Sequence, residues 1–179
     1  VLFRSQEQRG PYDDRSRTAH VLKLSLIGAV LVAITVVIHA LGTTYLVRYL
    51  AGRFLDESGR WGSRNTLLAL TQAAIVLVVL HALEIVVWAG VYKALVPVGE
   101  LADLETAVYF SFVTFTTLGY GDITLSEGWR LLSGIQALNG ILLVGWSTAL
   151  MFAVVQKSWQ GFAHRDAEAA SQNSRTGRR

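Results

Sequence analysis

The chain has 179 residues, 52% of them hydrophobic and only 16% charged, with a mean hydropathy of +0.40. That is too apolar for an ordinary soluble domain. There is no cysteine, so disulfides, thiolate metal sites and cysteine nucleophiles are excluded.

Arg and Lys gather in three places: Arg4, Arg9, Arg15 and Arg17; Arg48, Arg53, Arg60 and Arg64; and Lys157, Arg165, Arg175, Arg178 and Arg179. The apolar stretches between them are nearly uncharged. This is the basicity that flanks membrane segments. A nucleic-acid partner is not expected, because no basic face is interleaved with aromatics.

Residues 1–20 read as a flexible tail outside the fold. A first apolar segment, within 21–50, is long enough to span a hydrocarbon core, which takes roughly 20 helical residues. Residues 51–66 form a basic loop. A second segment runs over 67–96. The link PVGELADLET follows, with Pro97 and Gly99, and Asp103 is expected to cap a short helix whose first turn holds Glu105. That helix, 104–116, is too short to cross and is read as re-entrant. A third spanning segment covers 129–156, and 158–179 is expected to be a disordered polar tail rather than a folded sensing domain. Trp61 and Trp159 near one set of segment ends, and Trp88 and Trp129 toward the other, suggest interfacial aromatic belts.

The short helix runs into TTLGYGD, residues 116–122. Non-helical backbone at membrane depth is tolerated only where it lines a water-filled or protein-enclosed path. Glycine accepts backbone angles closed to other residues, so Gly-Tyr-Gly lets successive carbonyls point the same way. Rings of such carbonyls can replace the hydration shell of a monovalent cation. The half-helix aims its partly negative C-terminal end at the same place. A phosphate-binding loop would need a Lys-Ser/Thr ending and a preceding strand, and both are missing.

Here the sequence resembles the potassium-channel pore superfamily, over roughly 67–157. The family filter is Thr-Val-Gly-Tyr-Gly-Asp; this chain has Thr117, Leu118, Gly119, Tyr120, Gly121 and Asp122. The resemblance implies an all-α membrane fold of outer helix, re-entrant pore helix with filter, and inner helix, with K⁺ as the permeant ion. It implies coordinating rings from the carbonyls of 117–120 and the Thr117 hydroxyl, with Gly121 at the outer mouth. Tyr120 is expected to pack against Tyr109 and Phe110. Leu118 stands where Val is usual. Val113 stands where some members carry a buried Glu, so Asp122 needs another partner, for which Tyr109 is the candidate. Gly140 matches the family's hinge, with close helix packing as the equally weighted reading. Ile141, Val144, Thr148, Phe152 and Gln156 fall on one helical face and are expected to line the cavity and gate. Gln136 and Asn139 are intramembrane amides expected to hydrogen-bond protein. One filter strand cannot close a ring, so a homotetramer in a lipid bilayer is expected.

The first segment lies outside the two-helix pore module and resembles, more weakly, the added helix of small three-span bacterial channel-like proteins. It lacks the regular arginines of a voltage sensor. It carries His39, while His81 and Glu84 lie one turn apart on the second segment. At about 1.5 Å per residue, His39 and His81 sit roughly 16 and 22 Å from the 48–66 loop, close enough in depth to meet. A hydrogen-bonded clamp, a pH-sensitive gate and a metal site are the readings open to this trio. With the filter outside, the 48–66 loop and C-terminal tail are cytoplasmic. Arg15, Arg17 and Lys23 then oppose the positive-inside rule, so a spanning first segment is weighed against an interfacial one.

The expected function is passive K⁺ conduction across a membrane, the bacterial inner membrane being the expected site. The alternatives are a weakly selective cation channel and a non-conducting regulatory subunit. A metalloenzyme lacks any His-Glu-x-x-His pattern and leaves the filter without a role.

Overall fold

A computed structural model describes residues 11–54, 66–96, 101, 103–126 and 128–176. Four helices carry the chain: α1 (Pro11–Phe54), α2 (Thr66–Leu95), α3 (Leu104–Phe115) and α4 (Arg130–Thr176). No strand occurs among the described residues. Three stretches, Arg15–Phe54, Thr66–Leu95 and Arg130–Lys157, are long and apolar enough to cross a membrane, and α3 is not.

Two helices outrun the sequence reading. α1 begins at Pro11, inside the stretch expected to be a tail. Proline suits the first helical turn, where its missing N–H costs nothing. α4 continues to Thr176, through the stretch expected to be disordered. That extension includes Ala163, Ala167, Glu168, Ala169 and Ala170, residues of high helix propensity. Most of the 51–66 loop, including Arg60, Trp61 and Arg64, lies outside the described residues, as do Pro97, Gly99 and residues 1–10.

The chain divides into two compact units, Val1–Val37 with Glu84–Leu142, and Ile38–Leu83 with Leu143–Arg179. Each long helix contributes to both. In hydrocarbon, apolar contact between helices gains nothing over contact with lipid. Close approach and buried hydrogen bonds carry the association instead.

The first unit shows both. Its core holds Leu31, Trp88, Ala89, Tyr92, Phe110, Leu125 and Leu132, with Phe110 edge-to-face on Tyr92 at 5.2 Å. A Cβ on Gly28 would stand 2.6 Å from Ile135 Cδ1, so α1 meets α4 closely there and a larger residue would have to push the Ile135 side chain aside. His20 Nε2 lies 2.9 Å from the Gly128 carbonyl, so the start of α1 is level with the segment that leads into α4. These contacts favour a spanning α1 over an interfacial one. Trp88 is fully buried against Tyr92, which removes it from any interfacial belt.

The second unit packs Leu46, Leu50 and Phe54 of α1 on Ala69, Ala73 and Leu77 of α2 and Val154 of α4. Gly42 plays the role of Gly28 here, since a Cβ would come within 2.8 Å of Leu80.

Candidate functional site

The pore helix α3 starts where its sequence says it should. Asp103 is extended and its carboxylate accepts the Thr106 N–H at 2.7 Å. That bond holds the Asp103 carboxyl below its usual range. Glu105 occupies the first turn, and Ala107, Phe110, Ser111, Val113 and Phe115 turn inward. At the other end Thr116 closes the helix, its N–H and hydroxyl both donating to the Phe112 carbonyl.

Past the cap, the backbone alternates in hand. Thr117 has φ +59, Gly119 +53 and Gly121 +76, while Leu118 and Tyr120 between them do not have positive φ. Alternation of this kind gathers successive N–H groups on one side. Here the N–H groups of Leu118 and Gly119 both donate to the Val113 carbonyl, at 3.0 and 3.3 Å, and Thr117 N–H donates to Thr114 at 3.0 Å. Among the described residues no hydrogen bond ends on a carbonyl of residues 117–121. The first three residues of the segment thus have their donors tied back to the pore helix, and its acceptors are left over. A β-branched residue at positive φ is an outlier costing roughly 1–2 kcal/mol, and Thr117 holds it at this point of the chain.

Asp122 finds the partner that Val113 cannot supply: Tyr109 donates its hydroxyl to Asp122 Oδ2 at 2.6 Å. This bond holds the Asp122 carboxyl below its ordinary range and lifts the Tyr109 phenol above its own. Asp122 Oδ1 also accepts the Ile123 N–H at 3.0 Å. Phe110 is buried on Tyr92, whereas Tyr120 and Leu118 are 67% and 55% exposed on the single chain. A groove of about 400 Å³ lies beside them, lined by Tyr109, Val113, Thr117, Asp122 and Ser133 among others.

Behind the pore helix runs a buried polar relay that motif reading found only in part. Gln136 Nε2 donates to the Ser111 hydroxyl at 2.6 Å and its carbonyl at 3.2 Å, and Ser111 donates to the Ile85 carbonyl at 2.9 Å. Asn139 Nδ2 donates to Thr35 Oγ1 at 2.8 Å, and Thr35 in turn donates to the Leu31 carbonyl. Both amides are therefore structural groups. Ser111 and Thr35 escaped the sequence reading because a hydroxyl in an apolar run usually satisfies itself on its own helix.

At Gly140 the missing side chain is filled by the end of the pore helix. A Cβ would collide with the Phe115 carbonyl oxygen and stand 2.8 Å from its carbon. α4 is continuous helix here, so the close-packing reading has direct support. Ile141, Val144, Thr148, Phe152 and Gln156 are all exposed, on the face opposite the buried Leu132, Gln136, Leu143, Ser147 and Val154.

In the other unit, His39 is fully buried and stacks on His81, with ring centroids 5.3 Å apart. Ser147 Oγ lies 2.9 Å from His81 Nε2 and 3.4 Å from His39 Nε2. Trp146 closes on His39 edge-to-face at 5.4 Å. Glu84, fully buried, follows His81 by one turn along α2 and is counted with the first unit.

Residues 67–157, just over half of the chain, match a protein family described as "Ion channel". The chain belongs to this ion-channel family. It is an integral membrane protein, and the matched stretch opens within α2, takes in α3 and the 117–122 segment, and closes within α4. The resemblance drawn from TLGYGD agrees with that membership. No curated protein and no solved structure matches the chain.

Proposed function

We propose that the chain is one quarter of a K⁺-selective channel, with Thr117, Leu118, Gly119, Tyr120 and Gly121 as its filter strand. The observation that carries this reading is the alternating backbone at 117–121, where the N–H groups of Thr117, Leu118 and Gly119 are tied to the pore helix and, among the described residues, no group donates to the carbonyls of 117–121. Carbonyls in that state are ready to coordinate a dehydrated monovalent cation. The C-terminal end of α3 adds its partial negative charge below them. No bond is made or broken; the barrier lowered is that of stripping water from the ion.

A homotetramer follows from the ring that carbonyl coordination needs. The exposed Leu118 and Tyr120, and the groove beside them, are what a subunit interface would cover. Tyr109, Phe110, Val113 and Asp122 support the filter. Ile141, Val144, Thr148, Phe152 and Gln156 face the cavity and gate, and Gly140 seats the pore helix. His39 and His81 act as a clamp between helices, closed by Ser147. A bacterial inner membrane suits this architecture.

The test is uptake of K⁺ and of Na⁺ by liposomes holding the purified protein. The reading expects K⁺ uptake far above Na⁺. Equal uptake points to a weakly selective cation pore, and none at all to a regulatory subunit; either result overturns it.

A further inference from the structure

The family match at 67–157 leaves α1 outside the pore module, yet within the first unit α1 holds the stretch of α4 on which the pore helix ends. Three contacts run down one seam. His20 Nε2 lies 2.9 Å from the Gly128 carbonyl, Gly28 makes room for Ile135, and the Thr35 hydroxyl accepts the Asn139 amide at 2.8 Å. Ile135 and Asn139 stand one turn apart and share a face of α4. From His20 to Thr35 the seam covers roughly 22 Å of helix.

The third contact differs from the other two in what it holds. Asn139 is 1% exposed, its amide oxygen accepts no hydrogen bond, and among the described residues its amide nitrogen donates to Thr35 alone. The Thr35 hydroxyl is committed in turn. It donates to the Leu31 and Val32 carbonyls, each at 3.0 Å, and accepts from Asn139. The residue after Asn139 is Gly140, against which the Phe115 carbonyl is seated too closely for any side chain to fit. Turning α4 by roughly 20° about its own axis swings the Gly140 Cα by about 0.8 Å, given a Cα radius near 2.3 Å. A shift of that size either presses on Phe115 or opens a gap beside it. Phe115 stands two residues before Thr117. A buried amide with one partner resists that turn.

We infer that Thr35 is a selectivity-determining positioning residue. It holds Asn139, Asn139 fixes the rotation of the α4 turn that carries Gly140, and Gly140 sets where Phe115 delivers the 117–121 segment. The inference rests on the reading of 117–121 as the filter. It adds that a helix outside the matched pore region tunes the ion preference. The competing account is a bond that stabilises the helix pair and leaves the filter untouched.

The experiment measures K⁺ and Na⁺ uptake by liposomes holding the full chain, together with thermal melting in detergent. Thr35→Val keeps the side-chain shape and removes the partner of Asn139. It should lose about tenfold of the K⁺ preference, and Thr35→Ser should recover it. Thr43→Val is the control. Among the described residues the Thr43 hydroxyl bonds only the His39 and Ala40 carbonyls of its own helix, so its loss should leave the ion preference unchanged. The deciding protein combines Thr35→Val with Asn139→Leu. It strands no polar group, so it should melt near wild type, yet stay as unselective as Thr35→Val. A double variant with wild-type preference, or a Thr35→Val protein that melts low and stays selective, overturns the positioning role and leaves a stabilising bond. A wild type that takes up K⁺ and Na⁺ equally overturns the filter reading itself, and is told apart because it needs no variant.

Discussion

Substituting Gly140 by alanine separates two roles that look alike in sequence. On helix propensity alone the change should stabilise α4 by about 1 kcal/mol. The structure reverses that sign. The new methyl would overlap the Phe115 carbonyl and stand 2.8 and 3.1 Å from its carbon and Cα, all backbone atoms that cannot rotate aside. To regain ordinary contact near 3.5 Å, α4 or the end of α3 has to move on the order of 1 Å. Overpacking of this kind costs about 1–3 kcal/mol, which outweighs the propensity gain. Phe115 precedes Thr117 by two residues, so the movement is delivered to the proposed filter segment at 117–121. The assay pairs thermal melting in detergent with K⁺ and Na⁺ uptake. Gly140→Ala should melt below wild type and lose part of its K⁺ preference. Gly145→Ala, where nothing lies within 4 Å of the added methyl, should do neither. A Gly140→Ala protein that melts like wild type and stays selective, but opens less often, would refute the packing account and restore the hinge.

Three further outcomes follow from the same geometry. Gly119→Ala and Gly121→Ala meet no neighbour, yet each forces a side chain into positive φ at roughly 1–2 kcal/mol per subunit, so K⁺ uptake should collapse while helix content by circular dichroism is unchanged. The Tyr109–Asp122 bond sets a pH window. Asp122's carboxyl is lowered by folding, so its contribution holds above the usual carboxylate range and fades as pH falls through the lowered value. Tyr109's phenol is raised, so its contribution is lost only as pH climbs through that raised value. Uptake limited by this pair should therefore be flat from about pH 5 to 9, and Tyr109→Phe should move the acid limb upward, as read from uptake against pH. Thr35→Val strands the Asn139 amide and should cost about 0.6–2 kcal/mol in thermal melting, whereas Thr35→Ser should restore most of it.

What the sequence disclosed and what it withheld have a common physical cause. The irregular backbone after α3 was legible because Gly119 and Gly121 take positive φ that side chains disfavour, and Asp103 because a cap works on its own chain. Gln136 and Asn139 were legible as polar groups at a depth where polarity must be explained, though their partners were not. The failures lie where helices are apolar on every side, so no amphipathic stripe tells the buried face from the lipid-facing one. Trp88 read as interfacial and is core. Gly140 could not be sorted between hinge and contact, because the atom that fills its space belongs to a different helix. The lengths of α1 and α4 were underestimated because hydropathy marks where a helix enters lipid, not where it ends.

The most direct test of the central claim is the reversal potential of the reconstituted protein in a planar bilayer, with equal K⁺ on one side and Na⁺ on the other. Each tenfold of K⁺ preference contributes about 59 mV for a singly charged ion. A filter of free carbonyls at 117–121 predicts a reversal potential beyond roughly 100 mV in the direction set by K⁺. A value near zero, with current flowing, would contradict it.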